Sequence, residues 1–193
     1  TAAFFLAAST ATPAMAADLK PYVGVDFSYL NADYENNFDL VLDDEFVGLN
    51  PYVGVQVHEN IGLEVGYLET GRSEKNFDGA LLGGSGPAST DTKISGFHLD
   101  VMGSYNVTPK FEALGTVGVA RFEADIDLTG TGGTINDDDT DTAWRIGAGG
   151  RYALTDNVGL RSLVRYNLID FDDSTGDGSN GFWQANVGVQ YRF

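Results

Sequence analysis

The stretch Trp183-Gln184-Ala185-Asn186-Val187-Gly188-Val189-Gln190-Tyr191-Arg192-Phe193 decides how the rest of this 193-residue sequence reads. Trp183, Ala185, Val187, Val189, Tyr191 and Phe193 are apolar, and the residues between them are polar or glycine. A strict period of two puts the two sets on opposite faces of a β-strand. The stretch closes on an aromatic residue, where the ends of water-soluble domains tend to fray.

The same period recurs upstream. Strands are expected over 21–30, 46–57, 61–70, 94–106, 111–122, 142–153 and 158–169, with 183–193 as the eighth. In the first, Val23, Val25, Phe27 and Tyr29 oppose Tyr22, Gly24, Asp26 and Ser28. Two irregularities stand out. Pro51 lies inside the second strand and cannot donate to a ladder, so a local bulge is expected there. Arg121 falls on the apolar phase of the fifth. His58-Glu59-Asn60, Val107 to Lys110 and Leu154 to Asn157 make three short turns. Four long segments, 31–45, 71–93, 123–141 and 170–181, alternate with them and read as loops. Loops of that length are long for a compact domain, so strands two to five are expected to run on as hairpins.

The net charge of −17 excludes nucleic acid as a partner, since phosphate binding needs clustered Lys and Arg. The four long segments hold 20 of the 28 acids but only three bases, Arg72, Lys75 and Lys93, so they carry the whole net charge. There is no Cys, hence no disulfide, metal-thiolate site or Cys nucleophile. No apolar run approaches the ~20 residues of a spanning helix, so any crossing of a membrane must use strands. Residues 1–16, TAAFFLAASTATPAMA, join an uncharged apolar core to a small-x-small ending at Ala14-Met15-Ala16. They look like a secretory signal peptide without its initiator Met and basic segment, with the mature domain running over 17–193.

Eight strands of ten to thirteen residues, with short turns at one end and long loops at the other, predict an all-β, eight-stranded, antiparallel up-and-down transmembrane β-barrel. Four long acidic loops and three short turns join the strands. Its apolar phase has depth structure. Tyr29, Tyr67, Phe97, Trp144, Tyr166 and Trp183 fall near the loop ends, and Tyr105, Phe111, Tyr152, Tyr191 and Phe193 near the turn ends. Two aromatic girdles suit two headgroup zones, and a soluble barrel has no use for them. The polar phase then faces inward. It sets Asp26, Glu64, Asp100 and Glu112 against Arg145, Arg151, Arg161, Arg165 and Arg192. Buried charges must pair, and Glu64 is expected to meet Arg161 or Arg165 across the lumen. Eight strands leave room only for side chains, so a salt-bridged plug is expected rather than a pore.

Candidate chemistry is thin. His98 and Asp100 share the lumen, and a satisfied internal histidine is the simpler reading of them. Gly83-Gly84-Ser85-Gly86-Pro87 fails the nucleophile-elbow pattern at its last position. Asp137, Asp139 and Asp141 have the alternate spacing of a calcium loop, but Thr142 and Ala148 replace its Gly and Glu. These residues would bind a divalent cation at most weakly, and no metal or cofactor is expected. Asp170, Asp172, Asp173 and Asp177 form a second acidic patch, read like the first as a solvated face.

The ending Asn186-x-Gly188-x-x-Tyr191-x-Phe193 resembles the C-terminal signal of bacterial outer-membrane β-barrels, which implies recognition by the barrel-assembly machinery. Asn50-Pro51-Tyr52-Val53-Gly54 and Gly62-Leu63-Glu64-Val65-Gly66-Tyr67 resemble segments of the barrel of outer-membrane protein A, and the ending also resembles small relatives of outer-membrane protein X. The resemblance implies a Gram-negative, porin-family envelope protein among outer-membrane lipid and lipopolysaccharide, with periplasmic termini and extracellular loops. It implies a monomer without the peptidoglycan-binding domain. The expected function is non-enzymatic: envelope integrity, adhesion or contact with host or surface ligands through the loops. The alternative is a small porin-like channel with a narrow, salt-bridged lumen. A lipid-modifying enzyme would need a nucleophile and base that the sequence does not offer.

Overall fold

The computed structural model describes residues 19–32, 45–78, 86–130, 133–169 and 180–193. The expected leader over 1–16 and the acidic segments 33–44 and 170–179 lie outside the described residues, as does most of the Gly83–Pro87 motif. Nine antiparallel strands follow in order: β1 (Lys20–Ala32), β2 (Glu45–His58), β3 (Ile61–Thr70), β4 (Ser73–Asp78), β5 (Pro87–Asn106), β6 (Phe111–Gly130), β7 (Gly133–Ala153), β8 (Val158–Ile169) and β9 (Asn180–Arg192). Neighbours in sequence pair except β3 and β4, β3 pairs with β5, and β9 returns to β1, so the sheet closes on itself. β4 is a continuation of β3: after a break at Gly71-Arg72 it pairs further along β5. The ring therefore has eight staves, one of them β3 and β4 end to end. Closure removes the edges a flat sheet would expose. At the seam Tyr22 pairs with Arg192, and the Phe193 amide donates to the Pro21 carbonyl at 3.1 Å.

Two turns repeat one solution. Thr108 Oγ1 accepts from the amides of Lys110 and Phe111, and Thr155 Oγ1 accepts from those of Asn157 and Val158. A hydroxyl that caps the backbone two or three residues on is a common way to close a short turn. Asn157 also ties the turn to the last strand, donating from Nδ2 to the Arg192 carbonyl at 2.8 Å.

Three expectations need correction. Segments 71–93 and 123–141 are largely strand: β4, the first part of β5, the end of β6 and the start of β7 lie in them. Period two persists there, with Ala124, Ile126 and Leu128 against Glu123, Asp125 and Asp127, and the acids disguised it. The long hairpins involve the third to fifth strands as expected, but not the second, and they include the sixth. The third, fourth, fifth and sixth staves are extended, while β2 is an ordinary 14 residues. Pro51 causes no bulge. It pairs with Val25 on β1, and only the ladder to β3 lapses beside it, with register kept from Leu49–Glu69 to Tyr52–Gly66. A proline removes one donor, and the other neighbour does not need it. The register shift of β2 falls instead between Gln56 and His58.

Candidate functional site: the lumen and the outer belt

Through the part of the wall between the two aromatic belts, burial alternates along the strands. The outward side is apolar and bare: Phe97 is 67% exposed, Trp144 61% and Val187 60%. More than two dozen such residues girdle the ring. No water-soluble monomer tolerates so continuous an apolar surface. Phe97 and Tyr105, Trp144 and Tyr152, and Trp183 and Tyr191 are each eight residues apart on one strand. Eight residues are about 26 Å of strand, or about 20 Å along the axis at a ~40° tilt. In the first belt ring pairs tie adjacent strands, Tyr67–Phe97 at 4.7 Å and Tyr166–Trp183 at 4.9 Å, and in the second Tyr191 packs on Phe193 at the end of its own strand at 5.1 Å. Tyr29 stands with the first belt and donates to Glu45 at 2.8 Å. Phe111 and Tyr152 face each other in the second.

The inward side is stratified. At its centre Asp26, Glu64, Asp100, Arg145, Arg161 and Arg165 come together, all nearly or wholly buried. Arg161, from β8, is the hub. It holds Asp26 by two nitrogens at 2.5 and 3.3 Å and Glu64 at 2.5 Å, and it stacks 3.5 Å over the Tyr52 ring. Arg165 lies 3.5 Å from Glu64 and 3.3 Å from Asp100, and Arg145 lies 3.2 Å from Asp100. The result is a chain of alternating sign, Asp26–Arg161–Glu64–Arg165–Asp100–Arg145, with three charges of each kind. Such pairing offsets a desolvation cost of several kcal/mol per ion. His98 sits 2.9 Å from Asn50 Oδ1 and 3.4 Å from Asp100. Glu64, His98 and Asp100 bring potential metal ligands within 4.8 Å of one another. The carboxylates of that trio are already held by Arg145, Arg161 and Arg165, so a cation would face three guanidinium groups, and the trio is not a metal centre.

Glu112 is apart from this chain, near the turn end, and faces two guanidinium groups, Arg151 and Arg192. Asn186 and Gly188, quoted above for an assembly signal, have packing work as well. Asn186 accepts from Ser28 at 2.6 Å and from Gln184 at 3.0 Å, inside the barrel. A Cβ at Gly188 would strike the Asp26 carboxylate and the Val25 carbonyl, so this glycine admits the acid that Arg161 holds.

The sequence reading missed the layer at the loop end. Leu30, Phe46, Leu68, Ala120, Phe122, Ala143 and Phe182 form a buried apolar cluster with Ile94 against it. Phe122 of β6 and Phe182 of β9 meet across the lumen at 5.2 Å, edge to face. The lumen is thus stoppered by an apolar plug above the ionic centre. The signal was present on five strands, where Leu30, Phe46, Leu68, Phe122 and Phe182 put apolar side chains on the otherwise polar inward phase. Above the plug, Arg72 pairs with Asp127 at 2.5 Å and Lys93 with Glu69 at 2.6 Å. Each carboxylate makes its base hold the proton more firmly than usual. Exposed pairs of this kind add little to stability. Asp141 lies in β7 at this end, as do the backbones of Asp137 and Asp139, whose side chains are outside the described set.

Known proteins agree with this architecture. The chain is 25% identical over 197 residues to the 31 kDa outer-membrane immunogenic protein of Brucella melitensis, covering 89% of this chain and 82% of that one. Its fold resembles a major outer membrane protein from Thermus thermophilus (TM-score 0.62, 14% identity, 91% and 99% of the two chains). It also resembles Ail, the attachment invasion locus protein of Yersinia pestis (TM-score 0.56, 15% identity, 91% and 97%). The model of the outer membrane protein beta-barrel domain matches residues 1–193, and the chain belongs to that family.

Proposed function

We propose that this protein is a non-enzymatic barrel of the outer membrane whose role is structural or surface-directed, displaying its long hairpins outside the cell. The observation that carries the reading is the stoppered lumen. A barrel closed by an apolar plug and a balanced ionic chain has its outer faces left to work with. The apolar belt would sit in lipid and lipopolysaccharide, the two aromatic girdles at its headgroup zones. Both termini and the short turns would face the periplasm, and β4–β7 would project outward from a monomer. The Asn186, Gly188, Tyr191 and Phe193 pattern would serve the barrel-assembly machinery. The name of the Brucella relative, an immunogenic outer-membrane protein, supports surface exposure.

Ail binds a heparin analogue in one of its structures. That ligand does not suit this chain. The projecting hairpins carry Asp91, Glu123, Asp125 and Asp127 against few bases, and a polyanion would be repelled. A cationic or neutral partner fits better. Heat-modifiable migration with outer-membrane fractionation tests the placement, and protease accessibility of the β6–β7 hairpin on intact cells tests its orientation. The alternative, a porin-like channel, predicts discrete conductance steps in planar bilayers, whereas the stoppered lumen predicts none. Discrete steps from the unaltered protein would overturn the structural reading.

A further inference from the structure

Between the ionic centre and the turn end lies a cavity of about 20 Å³, bordered by Tyr22, Glu112, Leu114, Arg151, Gln190 and Arg192. That is room for one water or one ion of similar size. The plug seals the lumen from the loop end, so the cavity is reached from the turn end, where Arg192 is a third exposed.

Two features of this cavity call for an anion. The first is charge. The central chain balances three acids against three arginines, but Glu112 faces both Arg151 and Arg192. Among the described residues one positive charge at this level is therefore unmatched, and an unpaired charge that is only partly exposed to water is costly. The second is hydrogen bonding. Gln190, 2% exposed, lines this space and its Nε2 has no acceptor, and the buried Nε of Arg192 lacks one too. Buried donors left unpaired cost free energy, charged ones more. A water would satisfy the donors and leave the charge. A small anion satisfies both.

We propose that this vestibule binds a single monovalent anion of halide size, with Arg192, Arg151 and Gln190 as its donors. Leu114 on the wall favours a weakly hydrated ion, bromide over fluoride. The site rests on the closed lumen and is independent of any surface role.

The test uses the full chain, refolded in detergent, with sodium bromide as the probe and sodium gluconate at equal ionic strength as the reference. Bromide is expected to raise the unfolding midpoint, and crystals grown in bromide to show an anomalous peak between Arg192 and Gln190. Gln190→Leu and Arg192→Gln should each weaken the bromide response at least tenfold while keeping heat-modifiable migration. Glu112→Gln should strengthen it several-fold, because a second positive charge is left unmatched; a merely structural Glu112 would predict the opposite sign. Equal midpoints in the two salts, or a response that survives Arg192→Gln, would mean the donors hold water alone and would overturn the proposal.

Discussion

Arg161 on β8 reaches the opposite side of the barrel to hold Glu64 of β3 at 2.5 Å, while its other edge holds Asp26 of β1. One side chain thus joins three staves, two of which are not its neighbours in the sheet. Backbone ladders tie each strand only to the next, so this contact braces the ring across its diameter.

Replacing Arg161 with Leu should therefore strip two buried carboxylates of their main partner. Breaking a buried pair from one side costs about 3–5 kcal/mol, because a charge is left behind. Urea unfolding in lipid vesicles should show a loss of that size. A change below about 1 kcal/mol would mean the carboxylates find water and the brace is not needed.

Phe122→Ala should also destabilise, by about 3–5 kcal/mol, through the cavity left against Phe182. Its effect on conductance is more telling. With two stoppers in series, neither Phe122→Ala nor Arg161→Leu should open a path alone, and only the double variant should give steps in planar bilayers. Steps from either single variant would show that the other layer leaks.

Glycines of the wall should divide by side. A Cβ at Gly147 meets Arg165 Cγ and the Val164 carbonyl at 2.7 Å and Thr116 Oγ1 at 2.9 Å. Gly147→Val should cost about 1–3 kcal/mol by overpacking. A Cβ at Gly115, on the outer face, meets nothing within 4 Å. Gly115→Ala should be neutral or stabilise by up to about 1 kcal/mol, through a stiffer unfolded chain. Equal destabilisation by the two variants would contradict the inward and outward assignment.

Deleting Phe193 removes an outward ring packed on Tyr191 and the hydrogen bond its amide donates to the Pro21 carbonyl. The fold loses little by this, so refolding in detergent should persist. Assembly in cells should fall sharply if the ending is a machinery-read tag. Normal surface exposure of the β6–β7 hairpin in that deletion would sink the tag reading.

The eight-stave ring could be read from residues alone because each strand obeys a period of two, and that period is local. Trp183 to Phe193 carries its two faces without reference to any other strand. The inward charges were visible for the same reason: Glu64 and Arg161 occupy the polar phase of their own strands. Which charges meet was a matter of stagger and side-chain length across the ring, and the tertiary structure assigns Asp26 to Arg161 as well as Glu64. Pro51 looked like a fault only in isolation, since β1 pairs with it and the β3 ladder absorbs the lost donor. The extension of β7, and how far β5 and β6 run on, was obscured because acids in a period-two pattern read as a solvated loop until a partner strand pairs them. The plug was hardest to foresee. Leu30, Phe46, Leu68, Phe122 and Phe182 each look like a phase slip in their own strand, and only closure of the ring brings them to one level. Local periodicity decided the architecture of this protein; whether its lumen conducts, and what occupies it, depended on contacts between strands far apart in sequence.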